Sequence, residues 1–239
     1  MEKIFRTALM AASMAVVIPT MSVAQEKVEA SVGADLVSQY IWRGCELGGV
    51  AFQPNLSVAY KGFSLAAWGS VGFVREDTKE FDFTLGYETG GFSVGTTCYW
   101  FAYSDPEIRN RFFEFDSHST AHVFEAYVGY DFGPVALTWY TNYAGADGVN
   151  KSGKRAYSSY ASITAPFKLG GLDWSAEVGV SPWSNTFYTD TDGGFSVCNV
   201  SIGACKEVKI TETISLPLFT QLAWNPASQG AYFVFGMSF

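Results

Sequence analysis

The chain has 239 residues, a formal charge of −8, 17% aromatic against 16% charged residues, and 24 glycines. That composition is too apolar for a disordered chain and too glycine-rich for a helical one, and the negative balance argues against a nucleic-acid surface. One domain is enough for the length.

Glu2, Lys3 and Arg6 precede an apolar run from about Ala8 to Ile18, followed by Ser22-Val23-Ala24. This is the pattern of a secretory signal with a small-x-small cleavage site, so residues 1–24 are expected to be removed after Ala24. The run falls well short of the roughly 18 to 20 residues a membrane-spanning helix needs, which disfavours an uncleaved anchor. No cysteine follows the site to carry a lipid. Beyond it, residues 25–239 contain no apolar run long enough for a membrane helix. A membrane β-barrel resolves this, because its lipid-facing residues are every second one and escape a hydropathy window.

Val28 to Gly44 alternates for most of its length. Val28, Ala30, Val32, Ala34, Leu36, Tyr40 and Trp42 share one side, and Glu29, Ser31, Gly33, Asp35, Gln39 and Arg43 the other. A two-residue period predicts a strand with Tyr40 and Trp42 on an outer, apolar face. Val50 to Tyr60 returns, Lys61-Gly62 turns, and Phe63 to Phe73 continues. After a turn at 76–79, Phe81, Phe83, Leu85 and Tyr87 alternate cleanly with Asp82, Thr84, Gly86 and Glu88. Phe92 to Tyr103 has apolar residues on both faces and leaves its pleat open.

Val123 to Phe132 places Glu125, Tyr127 and Asp131 inward, and Val135 to Thr141 follows Gly133-Pro134. Tyr157 to Phe167 and Leu172 to Val180 flank the turn at Gly170-Gly171. The longest loop is expected from about Ser184 to Gly203, then a strand from Lys206 to Thr211. Reading on without a break gives eleven strands. A break near Glu212-Thr213 gives twelve, with the final pair at Ile214 to Trp224 and Ala231 to Phe239. Even strand numbers are the rule in bacterial single-chain barrels, so twelve is the expectation. Short turns then fall at one end and the long connections 104–119, 144–154 and 184–203 at the other, the asymmetry of an outer-membrane barrel.

Parity puts Glu29, Asp35, Asp82, Glu88, Glu125, Asp131, Asp173, Glu177 and Glu207 on inward faces, against Arg43, Lys61 and Lys209. These are the candidate pore-lining residues, and their imbalance favours cations. The plainer reading is that the carboxylates solvate the wall or pair with the bases. Arg43 is expected near the long-loop end of the first strand, opposite Asp35 or Glu46 or reaching to water beside Trp42. Tryptophans 42, 68, 100, 139, 174 and 224 read as interface or wall aromatics. Inward Tyr127, Tyr140 and Phe219 are placed to narrow the bore.

Four cysteines, Cys45, Cys98, Cys198 and Cys205, allow three pairings. Cys198 and Cys205 sit beside one loop, which makes a local disulfide the first candidate in an oxidising compartment; four unpaired thiols are the alternative. No metal spacing is present. Ser104-Asp105-Pro106-Glu107 reads as the start of a short loop helix, and residues 190–194 as an acidic loop lacking most ligands of a calcium site. Of the two histidines, His118 and His122 would lie about 13 Å apart on a strand, too far to share a metal. No serine has a nucleophile-elbow context, so no enzyme, cofactor or metal is expected.

Ser38-Gln39-Tyr40-Ile41-Trp42-Arg43-Gly44 resembles the N-terminal signature of the TorF-type porins. The run from Ile214 to Pro226, with the terminal strand ending on Phe239, resembles barrels of that general kind from Bacteroidetes-like bacteria. The resemblance implies an outer-membrane barrel whose last strand is read by the barrel-assembly machinery, and says little about a substrate. The expectation is an all-β, up-and-down transmembrane barrel of about twelve strands. It would act as a small porin or passive channel for small hydrophilic solutes or ions, with a mild cation preference. A closed barrel with functional surface loops is the alternative; a soluble barrel or sandwich is a third, disfavoured because the polar face is mostly Ser, Gly, Thr and Ala.

Overall fold

The computed structural model describes residues 27–75, 77, 79–102, 111–116, 119–188, 194–212 and 214–239. The signal segment, residues 104–107, His118 and most of residues 190–194 lie outside them. No helix occurs among the described residues, which form fourteen strands: β1 (Glu29–Val37), β2 (Tyr40–Trp42), β3 (Cys45–Gly48), β4 (Ala51–Tyr60), β5 (Phe63–Gly72), β6 (Lys79–Thr89), β7 (Phe92–Ala102), β8 (His122–Asp131), β9 (Ala136–Gly145), β10 (Ser159–Leu169), β11 (Leu172–Ser181), β12 (Ser196–Lys209), β13 (Ser215–Asn225) and β14 (Gly230–Ser238).

Twelve of them, all but β2 and β3, form one closed barrel in which β1 meets β14 on one side and β4 on the other. Every neighbouring pair is antiparallel, the up-and-down arrangement the alternating sequence predicts. The closing seam is short: Asp35, Leu36 and Val37 face Ser238, Met237 and Gly236. It is extended by the Phe239 amide donating to the Ala34 carbonyl at 2.9 Å and the Ser38 amide to the Phe235 carbonyl at 2.8 Å. Closure leaves no open edge, which removes the backbone groups that a lone sheet would have to satisfy elsewhere.

Side-chain direction follows the two-residue period. Along β6, Glu80, Asp82, Thr84 and Gly86 are buried toward the lumen, whereas Phe81, Phe83 and Leu85 are exposed outside. The pleat of β7, left open by the sequence, has Thr97, Tyr99 and Phe101 inside. Tight turns at Lys61-Gly62, Gly90-Gly91 and Gly170-Gly171 have both central residues at positive φ, the two-residue hairpin geometry whose twist matches paired strands. Near that end the outer wall carries aromatic pairs, Phe63 with Tyr87 at 4.6 Å, Tyr130 with Phe132 at 4.7 Å and Phe167 with Trp174 at 6.0 Å between ring centres.

Three expectations are corrected. The first strand ends at Val37; Tyr40 and Trp42 lie on the separate β2–β3 hairpin, buried inside the barrel rather than on its outer face. Trp68, a wall aromatic on β5, faces the lumen. Strand β12 begins at Ser196, so most of the expected loop 184–203 after that point is wall, and the strand expected from Lys206 is its second half. Cys198 and Cys205 therefore sit seven residues apart on one extended strand, about 23 Å at ~3.3 Å per residue, and neither is in a disulfide. A bond between them needs Cα atoms within about 7 Å, which the strand forbids.

Candidate functional site

The β2–β3 hairpin is a short antiparallel pair turned by Arg43 and Gly44, at φ 49° and 79°. Instead of extending the wall above β1, the chain bends at Ser38-Gln39 and folds the pair into the bore. The tip presses against β12. A Cβ on Gly44 would lie 2.0 Å from the Cys198 carbonyl oxygen, so only glycine permits the approach as well as the left-handed backbone. The Asn225 amide, on β13, donates to the Gly44 carbonyl at 3.1 Å and fixes the tip from a second wall strand.

Arg43 leaves this turn and pairs with Glu125 of β8, Nη1 to Oε2 at 2.6 Å and Nη2 to Oε1 at 2.9 Å. This two-point fit of a guanidinium on a carboxylate is geometrically selective. The structure thus gives Arg43 a partner across the bore, not Asp35 or Glu46. Tyr99 donates to Glu125 at 2.7 Å and Tyr188, from the connection after β11, at 3.0 Å; Tyr188 also contacts Arg43. The guanidinium lies 3.9 Å from the Tyr140 ring centre, 4.5 Å from Trp42 and 4.8 Å from Tyr160. Burial opposes the charge of Arg43, but the Glu125 carboxylate outweighs it and holds the guanidinium above its ordinary value. Glu125 is only 1% exposed.

The same level of the bore holds further acids. Tyr40 of the hairpin donates to Glu80 at 2.9 Å, and burial, with the charges of Glu80 and Asp82, raises its phenol well above normal so that it remains a donor. Glu177 accepts from Tyr160 and, at 3.0 Å, from Asn199. The Tyr160 ring occupies the space where a Cβ on Gly179 would lie, 1.9 Å from its hydroxyl oxygen. Trp42, Tyr99, Tyr160 and Tyr188 then pack with one another, with Trp42 5.7 Å from Tyr188 and Tyr160 5.6 Å from it. Hairpin, ion pair and aromatic belt lie together inside the barrel.

Of the wall residues expected to line the pore, ten lie on the inward face of their strands, but they do not form one site; the eleventh, Lys61, sits in the turn between β4 and β5. Asp82, Glu125 and Glu177 gather at the hairpin. Asp35 accepts from Ser238 Oγ at 2.5 Å beside the seam. Glu29, Glu88, Asp131, Asp173, Glu207 and Lys209 lie toward the short-turn end. There Asp131 accepts from the Gly133 amide at 2.6 Å, a turn-capping role, and Asp173 pairs with Lys168. Tyr127, Tyr140 and Phe219 do face inward. Glu80, Tyr99, Tyr160, Tyr188 and Asn199 belong to the site and were not singled out from sequence. His122 faces the outer wall under residues 111–116, its ring nitrogens next to Cys98 Sγ at 3.2 Å and the Phe112 carbonyl at 2.6 Å. Among the described residues no three of His, Cys, Asp and Glu converge as a metal centre.

Fold and site define a closed, antiparallel β-barrel with an internal hairpin ion-paired across its lumen. Residues 22–218 match the sequence model of the family described as bacterial protein of unknown function (Gcw_chp), and the chain belongs to that family. No curated protein matches the sequence. Among solved structures the chain is similar to the NanC porin, at 9% identity and TM-score 0.44 over 87% of this chain and 96% of that one. It is also similar to two Pseudomonas aeruginosa outer-membrane proteins. OccK9 (OpdG) is 11% identical with TM-score 0.38, over 90% of this chain and 64% of that one; OpdK is 11% identical with TM-score 0.39, over 90% and 66%.

Proposed function

We propose that this chain is an outer-membrane β-barrel acting as a small porin for small hydrophilic solutes or ions, with a mild cation preference. The β2–β3 hairpin, buried inside the barrel, is the proposed obstruction of its bore. The observation that carries the reading is the division of the wall: apolar and aromatic side chains outside, polar and acidic ones inside, around a barrel with no free edge. An exposed belt with Leu56, Leu65, Phe81, Leu85, Val178 and Leu222 suits lipid and is a liability in water. The signal-like N-terminus and the TorF-type resemblance of Ser38 to Gly44 support export to that membrane. Phe239, exposed at the end of the closing strand, is the proposed mark for the barrel-assembly machinery.

Twelve strands lie between the roughly eight that side chains fill and the sixteen or more that leave a wide channel. A bore of that size conducts only if its contents move. The hairpin is the part proposed to move: β2 and β3 pair with each other and not with the wall ladder, and side-chain contacts hold them in place. Glu80, Asp82, Glu125 and Glu177 face one base, Arg43, at the level of the hairpin, which is the basis for cation preference. The side chains packed inside the bore equally favour the second reading, a closed barrel working through its surface connections. Single-channel recording of the refolded chain in a planar bilayer under a salt gradient separates them. Discrete steps with a cation-selective reversal potential are expected; an inserted, heat-modifiable barrel that never conducts sinks the porin.

A further inference from the structure

Glu80 and Asp82 stand two residues apart on β6 and therefore on the same inward face. They are 4% and 2% exposed. Glu80 Oε2 is taken by Tyr40, but Glu80 Oε1 and both oxygens of Asp82 have no hydrogen-bond partner. The groups acting on Asp82 include the Glu80 carboxyl beside it and the Trp100 backbone on the neighbouring strand β7. Nor is there a counter-charge: the two ion pairs among the described residues are Arg43–Glu125 and Lys168–Asp173. Two adjacent carboxylates withdrawn from water with three unsatisfied oxygens are an unfavourable arrangement unless something positive is held between them.

We propose that Glu80 and Asp82, with the Tyr40 hydroxyl over them, form a binding site for a hard divalent cation such as calcium inside the lumen. Oxygen-only donors and two negative charges match such an ion in type and charge, and with so few protein ligands it keeps part of its water shell. This identifies the side-chain pair behind the cation preference and rests on the channel reading for its purpose. It also ties the ion to the hairpin, because Tyr40 belongs to β2: a bound cation competes with the phenol for Glu80. Trp68 sits directly opposite Asp82 on β5 and packs 5.7 Å from the Tyr40 ring, so the site carries its own optical antenna.

The test is terbium titration of the refolded chain in detergent, exciting tryptophan and reading sensitised terbium emission, with calcium as competitor. Saturable emission at one ion per barrel, reversed by calcium and lost in Asp82→Asn, is the expected result. Glu207→Gln, toward the short-turn end, should leave it unchanged. Heat-modifiability on gels verifies folding, and Glu80→Gln serves should Asp82→Asn fail to fold. Emission that survives in a folded Asp82→Asn or Glu80→Gln barrel overturns the site. So does absence of saturable emission together with an infrared band of a protonated carboxyl that Asp82→Asn removes, since the pair would then be sharing a proton. Binding is read without a bilayer, so a barrel that binds the ion yet never conducts defeats the channel reading and leaves the site standing.

Discussion

Replacing Arg43 by Ala is the sharpest perturbation of the lumen. It removes both nitrogens from Glu125, at 2.6 and 2.9 Å, and leaves a carboxylate that remains walled in as long as the hairpin stays put. Breaking a buried ion pair in this way costs about 3–5 kcal/mol. Tyr99 and Tyr188 keep donating to Glu125, which favours the lower end, while loss of the guanidinium from the Tyr140 and Trp42 rings adds about 0.5–2 kcal/mol. The wall does not depend on this pair, so the cost falls on the hairpin's docked state. At ~1.4 kcal/mol per factor of ten, a total of about 3.5 kcal/mol raises the undocked fraction roughly three-hundredfold. Maleimide labelling of Cys45, at the start of β3, reads undocking, and single-channel open time reads its consequence. Arg43→Met combined with Glu125→Leu fills the space without charge and should bring both readouts back toward the native value. Unchanged labelling and open time in Arg43→Ala would show that the pair does not hold the hairpin, and a barrel that unfolds outright would show that the cost is not local.

Gly44→Ala adds a Cβ 2.0 Å from the Cys198 carbonyl oxygen, so it should release the hairpin as Arg43→Ala does while leaving the ion-pair residues intact; Cys45 labelling checks it. Gly179→Ala drives Tyr160 from its place and breaks its contacts with Glu177 and Asn199, with an expected loss of about 1–3 kcal/mol for overpacking, read from the urea midpoint of the refolded barrel. Peptide mapping of the oxidised, exported chain should find no crosslink between Cys198 and Cys205, because one extended strand separates them.

The wall was legible in the sequence because its period is two and each strand between turns carries it, as in Phe81-Asp82-Phe83-Thr84-Leu85. Inward parity follows at once, and ten of the wall candidates obey it, while Lys61 falls in a turn. The plug was not legible, for a physical reason. Tyr40 and Trp42 continue the apolar phase of β1, and an oily residue is equally at home against lipid or packed inside a bore. The signals that mark the change are Ile41, apolar in the polar phase, and Arg43-Gly44, a two-residue turn. Strand β12 reads as loop down to Gly203 in the sequence because its inward residues Asn199, Ser201 and Gly203 are turn formers by composition; in the barrel they are small, polar wall residues, and the register slip at Gly179-Val180 further blurs the alternation. Glu80 escapes the pattern because it borders the turn at 76–79, just ahead of the clean alternation that starts at Phe81. Glu125 finding Arg43, 82 positions away, is a product of closure that no local pattern carries.

The most direct test compares the refolded native chain with a variant in which residues 40–48 are replaced by a short Gly-Ser linker, both recorded as single channels under a salt gradient. The account predicts that the variant still folds and inserts, conducts in larger or longer steps than the native chain, and keeps a cation-selective reversal potential from the wall acids that remain. A folded, inserted variant as silent as a solid barrel would contradict it, since the lumen would then be closed by its walls and not by the hairpin.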